Sequence, residues 1–192
     1  MSRNISSFFI EHNIIDAEDL EVYEYSFEIL LSTLLNLLAV VVIAFISGTA
    51  LFTFLYLMGF IPLRLFAGGY HAKNHLRCFA ILIIAYLAFL AIAFFFPVEY
   101  MLAVIIPSII LSIVIVFFLA PSEDKNNPIS SENLIRLKRK SRIVIFGYAV
   151  IVSILLATVP DKSISLSIAL GFFTVSLSLL ANHIKCKRSK QK

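Results

Sequence analysis

The chain has 192 residues, of which 60% are hydrophobic and only 15% charged. A mean hydropathy of +0.95 excludes a water-soluble globule, and no stretch between the apolar runs is long enough for a separate soluble domain. The formal charge of +4 conceals a division, because seven of the twelve carboxylates precede Ile29 while 14 of the 16 cations fall in three later clusters. Cations beside apolar runs set topology and touch anionic headgroups, which excludes nucleic acid as a partner. The expectation is an all-α integral membrane protein, one domain over residues 1–192, with about six transmembrane helices.

Residues 1–28 mix Ile5, Phe8, Phe9, Ile14, Ile15, Leu20, Val22, Tyr23 and Phe27 with the seven early carboxylates. A secretory signal opens basic, whereas this stretch is acidic and amphipathic, so it reads as a retained segment lying on the membrane surface as one or two helices. Apolar runs follow at 29–46, 49–61, 79–96, 98–119, 143–159 and 164–181. Crossing the hydrocarbon takes roughly 17–25 residues. The second run is short unless it continues past Pro62 to Phe66, with Arg64 extending its guanidinium to the interface.

The cation clusters at 64–78, 120–142 and 185–192 hold three, six and five Lys or Arg. The alternate connectors Ser47-Gly48, Phe96-Pro97 and Pro160-Asp161-Lys162-Ser163 hold one between them. Six spans with both ends of the chain in the cytoplasm satisfy the positive-inside rule at every loop. Within the spans, Asn36 suggests an interhelical hydrogen bond and Pro107 a kink. The longest polar connector, at 120–142, opens with Pro121, Asn126, Asn127 and Pro128, a turn signal, and continues into a basic helix. It reads as an anchor on anionic lipid or a dock for an acidic substrate segment. The basic tail at 183–192 contains Cys186, a spare thiol.

The stretch 62–78, Pro-Leu-Arg-Leu-Phe-Ala-Gly-Gly-Tyr-His-Ala-Lys-Asn-His-Leu-Arg-Cys, is a polar island with chemistry of its own. Two cysteines in the whole chain do not make a disulfide framework, and Cys78 falls where thiols stay reduced. A cysteine attacks as the thiolate, which neighbouring cations and a base favour. Arg64, His71, Lys73, His75 and Arg77 provide both, and no carboxylate occurs from Asn36 through Phe96. On a straight helix, seven residues rise about 10 Å, so only His75 could then reach Cys78. His71 serves as the base only if the chain bends between 71 and 78, and Gly68-Gly69 makes a sharp turn before it inexpensive. The two glycines would also let main-chain N–H groups approach a reacting carbonyl.

A metal site built from His71, His75 and Cys78 is the competing reading, since zinc accepts these ligands. Ala72 stands where a metalloprotease helix carries its glutamate, and the surrounding cations repel a dication. Neither a metal nor another cofactor is expected.

Arg64, Gly68-Gly69-Tyr70-His71-Ala72 and Cys78 seven residues after His71, followed by Ala120-Pro121, Lys125, Pro128 and the basic 134–140 stretch, resemble the AgrB family. These are membrane-embedded cysteine endopeptidases of bacterial accessory gene regulator quorum sensing. The resemblance covers essentially the whole chain. It implies Cys78 as nucleophile and His71 as base, with Arg64 and Gly69 in support; the residues themselves add Gly68, Asn74, His75 and Lys125 as supporting or substrate-binding candidates. It also implies an AgrD-like precursor peptide as substrate, cleavage and cyclisation as reactions, homodimers, and a site on the cytoplasmic side of the bacterial cytoplasmic membrane. No carboxylate in the island orients His71, leaving Asn74, a backbone carbonyl, Glu123 or Asp124 for that role. A small-peptide exporter or non-catalytic membrane scaffold is the alternative from another class.

Overall fold

The computed structural model describes residues 20–68, 75–122 and 131–190. They form six α-helices: α1 Leu20–Ile46, α2 Ala50–Ala67, α3 His75–Phe95, α4 Met101–Leu119, α5 Ser131–Thr158 and α6 Lys162–Lys190, with a 3-10 turn at Val98–Tyr100 before α4. No strand occurs among the described residues. Ala50–Ala67, Val98–Leu119, Glu132–Thr158 and Lys162–Lys187 are long and apolar enough to cross a membrane, and Leu31–Ile46 and Phe79–Phe95 are shorter apolar helices. This is an all-α membrane protein.

Several boundaries differ from those the hydropathy pattern suggested. The last nine residues of the acidic segment, 20–28, belong to the same helix as the first apolar run. Leu20, Val22 and Tyr23 need no break before Ile29, and no Gly or Pro stands there to make one. The second run does continue through Pro62 to Ala67. The basic tail prolongs α6 as far as Lys190.

Helix α6 is the axis of the bundle, with α2, α4, α5 and part of α3 packed around it. Every residue from Ser165 to Phe172 is buried, as befits a helix enclosed by protein on all sides. The surrounding helices are buried on one face only. On α2 that face is Thr53, Tyr56, Gly59, Leu63 and Ala67, and on α4 it is Met101, Ile105, Ser108, Ser112 and Val116. The three- and four-residue steps are those of one helical stripe. Outward-facing residues such as Phe45, Ile46, Phe95 and Phe118 remain exposed apolar surface, which lipid tails cover.

Lipid is as apolar as leucine, so helices in it are held by close packing and interhelical hydrogen bonds. The α2–α6 contact has both. A Cβ on Gly59 would strike the Ile168 carbonyl, and one on Gly171 would strike the Tyr56 carbonyl. The two backbones therefore touch, with a glycine on each side of the crossing. Around it, the Tyr56 hydroxyl donates to Thr174 Oγ1 at 3.0 Å, Thr53 and Tyr86 share a hydrogen bond at 2.6 Å, and Tyr56 stacks on Phe89 with centroids 4.6 Å apart. Each such hydroxyl bond is worth on the order of 0.6 kcal/mol in a bilayer.

Asn36 is 5% exposed and its Oδ1 has no partner among the described residues, so the expected interhelical bond from that oxygen is not made there. Helix α4 runs on through Pro107.

Candidate active site

At one end of the bundle the last turns of α2, α4 and α6 meet. Helix α2 closes at Gly68, whose N–H donates to the Arg64 carbonyl at 3.1 Å. Gly68 has φ 70° and ψ −145°, a conformation that only glycine adopts without strain. Space imposes the same requirement, because a Cβ there would lie 2.9 Å from the Ser122 carbonyl oxygen. The Gly-Gly pair was expected to make a sharp turn inexpensive at this point; Gly68 ends α2 with a positive φ, and the path from Gly69 on lies outside the described residues.

Arg64, expected to extend its guanidinium to the interface, reaches the end of its own helix and is bonded there to protein. Its Nη1 donates to the Gly68 carbonyl at 3.0 Å and to Ser178 Oγ on α6 at 2.7 Å. A guanidinium at this position also meets the negative end of the α2 dipole. Arg64 thus binds the end of α2 to α6.

Ser122, just beyond α4, forms the second tie. Its N–H donates to the Ala67 carbonyl at 2.9 Å, and Asn182 Nδ2 on α6 donates to its Oγ. Ser178 and Asn182, four residues apart, lie on one face of α6. Together they hold the two segments that lead into the polar island and into the charged 120–142 connector. Neither residue, nor Ser122, stood out in the sequence. The signal available was polar residues at helical spacing near the end of an apolar run.

Beside this junction opens a cavity of about 340 Å³, with Pro121, Ser122, Lys138, Asn182, His183 and Cys186 among its walls. Cys186, read from sequence as a spare thiol, faces this space three residues from His183. Among the described residues no group of three His, Cys, Asp or Glu could hold a metal ion.

Of the site residues expected from sequence, Arg64 and Gly68 are placed as above. His75 and Cys78 occupy the first turn of α3, which begins at His75 and has no acidic residue in that turn. Gly69, His71, Asn74, Lys125, Glu123 and Asp124 lie outside the described residues; of the 71–78 stretch where a bend was expected, 75–78 is helical and 71–74 lies outside them. A cysteine in the first turn of a helix sits at the positive end of its dipole, which favours a thiolate over a thiol.

A family model described as Accessory gene regulator B matches residues 2–179. An AgrB-like protein of Clostridium perfringens (strain SM101 / Type A) is 29% identical over 168 residues, covering 81% of this chain and 78% of that protein. A second, AgrB-like protein 2 of Clostridium perfringens (strain 13 / Type A), is 28% identical over 145 residues, covering 73% and 68%. No solved structure matches the chain.

Proposed function

Because the chain belongs to the accessory gene regulator B family, and with it to the processing of accessory gene regulator peptides, we propose that it is a cysteine endopeptidase that cleaves an AgrD-like precursor and closes the released fragment into a ring. The observation that carries this reading is Cys78 in the first turn of α3, seven residues after His71 and entered from the tied-down end of α2.

The Cys78 thiolate attacks the scissile carbonyl of the precursor. The carbon–nitrogen bond breaks, the leaving amine takes its proton from imidazolium His71, and a thioester joins Cys78 to the N-terminal fragment. A cysteine thiol or serine hydroxyl of that fragment then gives its proton to His71 and attacks the thioester carbonyl. The Cys78 thiolate departs and a thiolactone or lactone ring closes. Water at the thioester would give a linear acid, so a site at the edge of the hydrocarbon, where water is scarce, favours the ring. The main-chain N–H of Gly69 is the candidate donor to the developing oxyanion, with Arg64 anchoring the end of α2 that precedes it. Asn74, His75 and Lys125 are assigned supporting or substrate-binding roles. This end of the bundle faces the cytoplasm of a bacterial cell, across whose cytoplasmic membrane the protein lies, and the protein acts as a homodimer.

The test is co-expression with the precursor and mass spectrometry of the products. Cys78→Ala and His71→Ala should each abolish cleavage while the protein still inserts, and Cys186→Ala should leave cleavage intact. Cleaved peptide from Cys78→Ala would exclude the thioester route. Cleavage retained in His71→Ala but lost in His75→Ala would transfer the base to His75.

A further inference from the structure

Helix α5 carries a concentration of charge that the proposed reaction does not use. Its first twelve residues hold Arg136, Lys138, Arg139, Lys140 and Arg142 against a single carboxylate, Glu132. None of Arg136, Lys138 and Arg139 has a carboxylate partner among the described residues.

Two of the cations mark a level in the bundle. Lys140 Nζ stands 5.4 Å from the centroid of Phe66, in the last turn of α2. Arg142 lies 3.8 Å over the Phe117 ring and donates from Nη2 to the Phe117 carbonyl at 3.0 Å, in the last turn of α4. Two neighbouring spans end here, so this is where hydrocarbon gives way to headgroups. The part of α5 before Lys140 rises about 13 Å beyond that level, at 1.5 Å per residue.

On one face of α5, at steps of three and four residues, Ile135, Lys138, Arg139, Arg142, Ile143 and Phe146 line a shallow cleft. Its upper lip is cationic. Its lower part is apolar and open, with Ile143 61% and Phe146 48% exposed. An acidic peptide would satisfy the cations and leave Ile143 and Phe146 against lipid as before. A molecule with an anionic head and a hydrocarbon chain matches both parts at once.

We propose that this face of α5 is a binding site for an anionic membrane phospholipid, its phosphate held by Lys138 and Arg139 with the fixed charge of Arg142 behind them, and its acyl chain along Ile143 and Phe146. Juxtamembrane cations each attract such headgroups appreciably, and three on one face make a site rather than a diffuse attraction.

The experiment is native mass spectrometry of the intact protein, purified in detergent with an equimolar mixture of phosphatidylglycerol and phosphatidylcholine. The wild type should retain phosphatidylglycerol in preference, and Lys138→Gln/Arg139→Gln should weaken retention roughly thirtyfold, two cations' worth of attraction. Arg136→Gln, outside the cleft, should change little, and the charge-preserving Lys138→Arg/Arg139→Lys should keep the lipid. A circular dichroism melt of each variant separates lost binding from lost fold; if the Gln double variant is unfolded, Lys138→Gln and Arg139→Gln are read singly, each expected to lose about fivefold. Equal retention of the two lipids, or equal retention by wild type and folded Gln variants, would overturn the proposal. So would displacement of the phosphatidylglycerol by millimolar inorganic phosphate or by an oligoglutamate peptide, which would assign the cleft to a free anion or to an acidic chain.

Discussion

Gly68 is the residue on which the junction of α2, α4 and α6 depends most directly. Its backbone conformation is open to glycine alone, and the Ser122 carbonyl fills the space where a side chain would begin. Gly68→Ala is therefore expected to cost about 1–3 kcal/mol through the backbone alone, and more through the Ser122 contact. Because the displaced backbone leads straight into residues 69–78, precursor cleavage should fall further than the thermal stability of the detergent-solubilised protein. A variant that melts as the wild type does and cleaves at the wild-type rate would remove Gly68 from the site. Arg64 was picked out in the sequence because a cation in an apolar run demands a reason. Which reason was not legible there: the Ser178 hydroxyl that receives its Nη1 lies 114 residues away.

At the scale of elements, the α2–α6 crossing should be the part of the bundle least tolerant of added volume. Gly171→Val places a side chain against the backbone of α2, which cannot rotate away as a flexible side chain could. Overpacking of this kind costs about 1–3 kcal/mol, so the melting temperature in detergent should drop. Gly147→Ala is the counterpart on α5. A Cβ there meets nothing within 4 Å, and the exchange should leave stability unchanged or raise it by about 0.5–1 kcal/mol through helix propensity. If both substitutions behaved alike, close backbone approach would not be what holds α2 to α6. The helices were visible as apolar runs, and their ends were the less legible part. Proline inside α2 and cations inside α6 read as punctuation in the sequence, yet α2 continues through Pro62 because neighbouring helices supply the contacts that local propensity lacks, and α6 continues through its cations because Lys and Arg are themselves good helix formers.

At the scale of the molecule, ends of α2, α4, α5 and α6 gather at one end, through the Ala67–Ser122, Ser122–Asn182, Arg64–Ser178 and Phe117–Arg142 bonds. Near the opposite end, Ser163 reaches Met101 Sδ at 4.0 Å, which brings the starts of α4 and α6 together. All three cation clusters attach to the first end. Single cysteines placed at Ser47 and Asp161, in a chain carrying Cys78→Ala and Cys186→Ala, should react with an impermeant maleimide added outside whole cells. Cysteines at Ser122 and Lys187 should react only after lysis. The reverse pattern would turn the protein over in the membrane and separate the site from a cytoplasmic precursor.

Composition and periodicity alone determined that this chain is a helical membrane protein, with its cations segregated by loop and its reactive residues crowded into one polar island. Those properties are local: they depend on what each residue is and on its neighbours within a turn or two of helix. Tertiary structure alone decided that α6 would be the axis, that α2 would meet it backbone to backbone, and that Ser122, Ser178 and Asn182 would hold the approach to the island. These arrangements join residues tens of positions apart, and helix packing in lipid is chosen by shape and a few hydrogen bonds rather than by a hydrophobic stripe. In a chain apolar on nearly every face, no stripe was there to be read.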